Sequence, residues 1–209
     1  MSRTLVVTGT DTGVGKTVFA AALAAALGAA YWKPIQAGFD DGGDRARVTA
    51  LGGLAGDRIL PEAYRLATPC SPHRAAELDG IAIDPAALGL PDRSGPLVVE
   101  GAGGVLVPVT RDLLFADLFA DWGAPVVLVA RTSLGTINHS LLSIEALRSR
   151  NVAIAGIAFV GDANEDSEAT IARLGGVRRL GRLPRLDPLD RESLSRAFAA
   201  SFRIEDFQA

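Results

Sequence analysis

The chain has 209 residues, of which 48% are hydrophobic and 22% charged, and its net charge is −3. This balance is typical of one globular domain with a sizeable core, and it gives no reason to expect a nucleic-acid partner. The single cysteine, Cys70, excludes an internal disulfide and a cysteine metal cluster, so a reducing, cytoplasmic location is expected. We expect no signal peptide and no membrane partner, because the apolar run Val18–Leu27 is too short to span a bilayer.

The stretch Thr4–Thr17 combines a β-branched strand, a glycine-rich turn and a helix that begins on Gly-Lys-Thr. This order is typical of a phosphate-binding loop, in which glycines let backbone N–H groups approach a polyphosphate at a helix N-terminus. Lys16 is expected to reach the β- and γ-phosphates, and the Thr17 hydroxyl to bind Mg²⁺. The loop is one residue longer than usual, since five residues separate Gly9 from Gly15.

Lysine is rare in this chain: Lys16 and Lys33 are the only two, and the other nineteen of its 21 Lys and Arg residues are arginine. Because arginine serves elsewhere as the surface cation, the lysines indicate positions that need a compact point charge, with chance as the alternative for Lys33. Lys33 lies in a second predicted strand, Tyr31–Ile35, which stops at Pro34. Parallel strands end at one edge of a sheet, so Lys33 is expected near the phosphate loop.

Two acidic segments are candidates for metal binding. The loop Gln36–Asp44 contains Asp40, Asp41 and Asp44, and such carboxylates serve either solvation or Mg²⁺, directly or through water. The apolar strand 96–100 ends in Glu100 and precedes Gly-Ala-Gly-Gly. A strand-end carboxylate in this position is typical of the second metal-organising acid of a phosphate-loop protein, and an exposed turn is the alternative.

The rest of the chain alternates between helical and strand patterns. Helices are predicted at 17–27, 45–54, 74–78, 85–88, 114–122, 136–150, 164–174 and 192–198, and strands at 125–130, 152–160 and 177–183. Thr136 is a candidate N-cap at a second possible anion site, and residues from Phe202 onward are predicted to be a tail. This alternation predicts a single domain over residues 1–209, a doubly wound, mostly parallel α/β sheet with helices on both faces.

Adenine is the expected base, because the guanine-reading segment Asn-Lys-x-Asp is absent from the sequence.

Five segments of the chain resemble segments of dethiobiotin synthetases and occur in the same order. The resemblance runs from the first strand to about Pro184. The five segments are Gly9–Thr17, Trp32–Gln36, Ser71–His73, Val99–Gly104 and Gly135–His139.

The resemblance implies a P-loop ligase of biotin biosynthesis that uses ATP and Mg²⁺. Its substrates would be 7,8-diaminononanoate and CO₂ or bicarbonate, and its products dethiobiotin, ADP and phosphate. One amine would capture CO₂ as a carbamate, ATP would phosphorylate it, and the second amine would close the ring on the carbamic-phosphoric anhydride. Such a path needs cations and a metal but no protein nucleophile.

The resemblance also implies roles for individual residues. Lys16 and Lys33 would be catalytic, and the metal would be held by Thr17, Asp44 and Glu100. The substrate would be contacted by Thr12, Lys33, Ala37 and, from the partner subunit of a homodimer, by Gly135, Thr136, Ile137 and Asn138. The nucleotide would be contacted by Gly13, Val14, Gly15, Lys16, Thr17, Val18, Asp44, Glu100, Gly101, Ala102, Gly103, Gly161, Asp162, Pro184, Arg185 and Leu186.

Two positions depart from the family pattern. Ala37 stands where a serine or threonine is common, so a hydroxyl contact to the substrate is missing or replaced. Gly161 stands where an asparagine commonly lies near the adenine, with Asn164 three residues later. This second difference predicts a looser nucleotide preference.

Two other protein classes share features with this sequence. Cobyrinate or cobyrate synthetases share the loop, but they carry a glutaminase domain with a catalytic cysteine, whereas Cys70 lies in a Pro-Ser-rich turn. Partitioning and septum-site ATPases usually have a second lysine early in the loop, and residues 9–12 contain none. A partner-stimulated ATPase that ignores diamines would favour this last class.

Overall fold

The computed structural model describes residues 4–38 and 42–208. Asp40 and Asp41, two of the acidic loop residues considered above, therefore lie outside the described residues. The strands are β1 (Thr4–Gly9), β2 (Ala30–Trp32), β3 (Ile35–Ala37), β4 (Tyr64–Leu66), β5 (Leu97–Gly104), β6 (Val126–Arg131), β7 (Ile154–Val160) and β8 (Arg179–Leu183). The helices are α1 (Lys16–Ala26), α2 (Gly43–Gly52), α3 (Pro72–Asp79), α4 (Phe115–Trp122), α5 (Thr136–Arg148), α6 (Glu165–Gly175) and α7 (Arg191–Ser201).

Six of the strands form one sheet in the order β2-β5-β1-β6-β7-β8, and every neighbouring pair is parallel. Parallel neighbours need crossover connections, which here are the helices that follow β1, β5, β6 and β7. The chain builds β2 and β5 on one side of the central strand β1 and then β6 to β8 on the other. A crevice is expected where the winding reverses, beyond the C-terminal end of β1. The predicted parallel α/β fold is confirmed.

Both faces of the sheet are covered, as the apolar sequence of β1 requires. Val6 belongs to one hydrophobic cluster, which includes Phe119 of α4. Leu5 and Val7 belong to a second cluster, which includes Phe19 of α1. Because successive side chains of a strand point to opposite faces, a strand that is buried on both sides is apolar throughout.

The C-terminal segment packs back onto α1. Phe198, Phe202 and Phe207 surround Phe19, with ring centroids 5.9, 5.4 and 6.2 Å from it. Phe207 is 1% exposed and follows a short 3₁₀ turn. The prediction of a tail from Phe202 onward is therefore wrong, because two isolated aromatic residues form no periodic pattern from which burial can be inferred.

Pro34 divides the second predicted strand in two. The first part, β2, remains in the main sheet, whereas the second part, β3, pairs with β4 in a separate two-stranded parallel sheet. Because proline lacks a backbone N–H, it cannot continue the ladder. Gln36 and Ala37, predicted to lie in a loop, therefore lie in a strand, and Lys33 lies between the two sheets.

The strand β5 extends beyond Glu100, contrary to the prediction that it ends there. Residues 101–104 continue the strand. A Cβ on Gly104 would lie 3.4 Å from the carbonyl oxygen of Thr10, so a glycine lets the strand run on close beside the phosphate loop. Glu100 consequently lies inside the sheet and has no exposed surface.

The helix α5 begins differently from the prediction. Its N-cap is Gly135, with φ 93°, and Thr136 is the first helical residue. The Thr136 hydroxyl donates a hydrogen bond to the carbonyl oxygen of Arg131, so it caps no helical N–H. None of the helices in residues 4–38 and 42–208 combines the length and the apolar character needed to span a membrane.

Candidate active site

The phosphate loop joins β1 to α1 through glycines that other residues would replace poorly. Gly13 and Gly15 have φ of 73° and 97°, a region that L side chains disfavour. A Cβ on Gly9 would lie 2.8 Å from Val14 Cγ2 and 3.0 Å from Lys16 Cδ, so the first glycine is required by close packing. The longer loop thus leads directly into the N-terminus of α1. The first N–H groups of this helix have no intrahelical acceptor and are available to an anion.

The Lys16 ammonium group folds back over the loop. Its Nζ donates a 2.8 Å hydrogen bond to the carbonyl oxygen of Asp11, and the residue is only 6% exposed. Burial lowers the pKa of Lys16 to about 8, although the nearby Glu100 carboxylate opposes this shift. A buried cation of this kind favours an anionic ligand, which would restore the charge balance.

Lys33 lies between two carboxylates in the same crevice. Its Nζ forms one ion pair with Asp44 and a second with Glu100 Oε1, at 3.4 Å. Burial by itself would lower the pKa of Lys33, but the charges of Glu100 and Asp44 outweigh it and raise that pKa. Burial by itself would raise the pKa of Asp44, but the charge and hydrogen bond of Lys33 outweigh it and lower that pKa. Both groups are therefore charged at neutral pH.

Glu100 is held by three donors from different parts of the chain. Its Oε1 accepts a 2.8 Å hydrogen bond from the Thr17 hydroxyl, and its Oε2 accepts a 2.9 Å hydrogen bond from the Tyr31 hydroxyl. Burial raises the pKa of Tyr31 well above its ordinary value, so the hydroxyl stays a donor. A fully buried carboxylate needs such partners, and Lys33 completes the set.

Two adjoining cavities meet at these groups. The first has a volume of about 300 Å³, and the second about 420 Å³. Both are lined by Thr12, Lys33, Asp44 and Gly103. The first is also lined by Gly13, Gly15, Lys16, Thr17, Val18, Arg47 and Glu100. The second is also lined by Gln36, Ala37, Cys70, Ser71, Ala102 and Val107. Lys33 thus lies at the junction of a phosphate-loop cavity and a second cavity that contains Ala37.

The predicted adenine-binding segments lie side by side at the ends of β7 and β8. The N–H of Gly161 donates to the carbonyl oxygen of Leu183 at 3.0 Å, and Asp162 and Arg185 form an exposed ion pair at 3.6 Å. A Cβ on Gly15 would lie 2.8 Å from the last side chain of β7, so this end of the sheet borders the phosphate loop. The segments concerned are Gly161–Asp162 and Pro184–Leu186.

The structure gives a physical reason for glycine at position 161. Its φ is 136°, and a Cβ there would collide with Oγ1 of Thr132. Asn164, the nearest alternative amide, is already bound: its Nδ2 donates to the Thr132 carbonyl oxygen and its Oδ1 accepts from the Ser167 N–H, both at 3.2 Å. Neither position 161 nor position 164 therefore offers a free amide to a nucleobase.

The predicted substrate-tail segment is the first turn of α5, at the same edge of the sheet. Its residues line neither cavity of this chain, and Leu134 just before it is fully exposed. Arg131, at the end of β6, reaches the phosphate loop through an ion pair of 3.8 Å with Asp11. Within this chain the structure therefore does not bring the predicted substrate-tail residues to the crevice. The residues concerned are Gly135, Thr136, Ile137 and Asn138.

Sequence reasoning missed two residues of the crevice. Arg47 lines the first cavity from α2. It follows Asp44 by three residues, a spacing that places both on one face of a helix. Tyr31 contacts Glu100 from β2, and it precedes Lys33 by two residues, the period of one strand face. Both spacings are signals that the sequence contains.

The donor set in the crevice fits Mg²⁺. The oxygens of Thr17, Asp44 and Glu100 are hard ligands, and Lys33 and Thr17 both contact Glu100 there. Mg²⁺ typically takes one or two carboxylates and completes its shell with water and substrate phosphates. In the part of the chain that is described, no group of three or more His, Cys, Asp or Glu residues forms a metal cage. The site thus suits a metal that arrives with a nucleotide.

Known proteins resemble this chain over nearly its whole length. A family model described as an AAA domain matches residues 3–193. The ATP-dependent dethiobiotin synthetase of Novosphingobium aromaticivorans is 68% identical over 97% of this chain and 98% of its own length. The enzyme of the same name from Rhodopseudomonas palustris strain TIE-1 is 64% identical over 99% of this chain and 98% of its own.

Solved structures give the fold alone. The cell division ATPase MinD of Pyrococcus furiosus has a TM-score of 0.58 at 12% identity, and the match covers 100% of this chain and 99% of that one. A match at such low identity shows that the fold is shared and says nothing about a role in cell division. The full-length relatives at 64–68% identity decide between the protein classes considered above. The prediction of a ligase is confirmed, and the chain belongs to the family of ATP-dependent dethiobiotin synthetases.

Proposed function

We propose that this chain converts 7,8-diaminononanoate, CO₂ and ATP into dethiobiotin, ADP and phosphate. The observation that carries the proposal is the position of Lys33 at the junction of the two cavities. One cavity contains the phosphate loop, and the other has room for a small organic substrate. A phosphoryl group that moves from the first to the second passes the Lys33 ammonium.

The chemistry divides into three steps. One substrate amine attacks CO₂, forming a C–N bond and, with loss of a proton, a carbamate. A carbamate oxygen then attacks the γ-phosphorus, the bond to ADP breaks, and a carbamic-phosphoric anhydride forms. Finally the second amine attacks the anhydride carbon, loses a proton and expels phosphate, which closes the cyclic urea. The substrate amines are the nucleophiles, so the protein's part is to position and to balance charge.

In this proposal the chain's own residues stabilise negative charge. Lys16 and the backbone N–H groups from Gly13 to Val18 hold the triphosphate, and Lys33 balances the carbamate and the moving phosphoryl group. Mg²⁺, held by Thr17, Asp44 and Glu100, would neutralise charge on the β- and γ-phosphates. Glu100 also fixes Thr17 and Lys33 through the hydrogen bonds described above, so the two groups keep a constant relative position.

Three further predictions remain part of the proposal. The turn Gly135–Asn138 of a partner subunit would bind the substrate carboxylate, which makes the enzyme a homodimer. The segments Gly161–Asp162 and Pro184–Leu186 would flank the adenine. The reaction would take place in the cytoplasm within one domain over residues 1–209, and the single cysteine supports a reducing location.

The test is phosphate release from ATP in the presence of Mg²⁺ and bicarbonate, measured with and without 7,8-diaminononanoate. We expect release to require the diamine and to match the dethiobiotin formed one to one, as measured by mass spectrometry. Release that ignores the diamine would contradict the proposal and favour an ATPase switch. A diaminononanoate methyl ester, which lacks the carboxylate, separates binding of the tail from the chemistry of the amines.

A further inference from the structure

A separate cavity of about 290 Å³ lies where α1, α2 and α7 meet. It is lined by the later residues of α1 and by the C-terminal end of α2, including Gly52 and Gly53. The other ends of the same two helices carry Thr17 and Asp44. Each helix therefore runs from the active-site crevice to this cavity, and the two openings lie at opposite ends of the helices.

The cavity combines apolar walls with positive charge. Leu51, Phe198 and Phe202 are buried core residues that form part of its wall. Its charged lining residues are Arg58 and Arg191, and no carboxylate side chain lines it among the residues that the structure describes. In that part of the chain neither guanidinium forms an ion pair, and Glu192, which follows Arg191 in the sequence, pairs instead with Arg196 at 3.4 Å.

The backbone of α2 makes room for one of these guanidinium groups. Gly53, with φ 58°, is the C-cap of α2, and a Cβ at this position would collide with Cζ, Nε and Nη1 of Arg191. Arg191 therefore lies directly over the helix terminus, where carbonyl groups favour a cation. Asp190, which precedes it, accepts from the Ser193 N–H to cap α7 and forms no ion pair with Arg191.

We infer that this cavity binds a medium-length alkyl carboxylate, with the carboxylate on Arg58 and Arg191 and the alkyl chain against Phe198, Phe202 and Leu51. Guanidinium is the side chain best suited to a carboxylate, because its fork matches the two oxygens. Each methylene that enters the apolar wall adds favourable burial. The inference does not depend on the reaction proposed above.

Calorimetric titration of the full chain with octanoate at low salt tests this site. Octylamine, with the opposite charge, and acetate, without the chain, are the comparison ligands. We expect octanoate to bind and both comparison ligands to bind at least about tenfold more weakly, because each lacks one of the two contacts. Absence of octanoate binding at millimolar concentration, or equal binding of octylamine, would overturn the inference.

Two variants locate the bound molecule. Arg58→Gln/Arg191→Gln should weaken octanoate about tenfold or more, and the control Arg173→Gln/Arg196→Gln, which removes equal charge elsewhere, should not. Ala26→Phe adds volume from an exposed lining position, so it should abolish binding while leaving the melting temperature unchanged. Binding that survives either change at the cavity would place the octanoate elsewhere, the active site included, and refute the inference. Diamine-dependent turnover should be normal in all three variants, so failure of the two proposals can be told apart.

Discussion

The charged groups at the two ends of the active-site crevice differ in their burial. At the phosphate end, Lys33 and Glu100 are buried and contact each other, and Glu100 also accepts a hydrogen bond from Thr17. At the predicted base end, Asp162 and Arg185 form an ion pair whose side chains are 81% and 78% exposed. Buried charges must be matched with precise partners, whereas exposed pairs contribute little because water screens them.

This difference indicates which part of the crevice tolerates change. Each buried group at the phosphate end depends on several others, so a single substitution leaves a partner unsatisfied. At the base end, Gly161 stands where the family commonly has an asparagine. The Thr132 hydroxyl occupies the space in which the Cβ of an asparagine would lie. We therefore expect changes at the phosphate end to have the larger effects.

Lys33→Arg should have the largest effect, a fall in turnover of about 100-fold or more. The planar guanidinium cannot occupy the place of a compact ammonium between two carboxylates, although ATP should still bind through the phosphate loop. Single-turnover phosphate release and nucleotide titration measure the two quantities separately. Arg185→Lys, the reverse exchange at the base end, is the matched comparison and should lower turnover far less, because its ion pair is exposed. Near-normal turnover of Lys33→Arg would refute the proposed role.

Glu100→Gln should reduce activity about 10- to 100-fold and raise the Mg²⁺ concentration needed for half-maximal rate. The amide removes one negative charge from Lys33 and places an N–H₂ group toward donors that need an acceptor. Mg²⁺ titration of the steady-state rate provides the measurement, with Asp162→Asn as the exposed control. If the Mg²⁺ dependence is the same in both variants, the metal is held elsewhere.

Tyr31→Phe should act on stability more than on turnover. It removes the donor at 2.9 Å from Glu100 Oε2 and leaves a buried carboxylate oxygen unsatisfied, at a cost of about 1–3 kcal/mol. Urea unfolding gives the free energy of unfolding directly. The chain's other tyrosine supplies the control, because the Tyr64 hydroxyl accepts its hydrogen bond from Asp84 at the surface and Tyr64→Phe should cost less. Equal losses in the two variants would contradict the importance of the Glu100 contact.

The smallest effect is expected when the base of the nucleotide is changed. Positions 161 and 164 offer no free side-chain amide, so kcat/KM for CTP and GTP should lie within about 100-fold of the value for ATP. Sites that hydrogen-bond a polar group of the substrate discriminate by about 10⁴-fold or more. Asn164→Ala should leave these ratios unaltered, because its amide is bound to Thr132 and Ser167. Strict use of ATP would show that backbone groups suffice to select adenine.

The sequence by itself predicted the elements that depend on local pattern. The strand–loop–helix order around Lys16, the apolar strands and the two scarce lysines led to the parallel fold and to a crevice beside the loop. These features follow from residue types over short spans, since φ preferences, strand alternation and helix capping are local. Pro34 by itself predicts a break in the strand but not the boundary between two sheets.

Contacts between distant segments were decided only by the tertiary structure. Glu100 lies 69 residues from Tyr31 and 83 from Thr17 along the chain, and no local pattern predicts that their side chains meet. The same holds for Thr132, whose hydroxyl fills the space beside Gly161, and for Phe207, which completes the packing around α1. Burial and hydrogen-bond satisfaction are properties of the packed chain as a whole, so they determine these positions only once the sheet and helices have assembled.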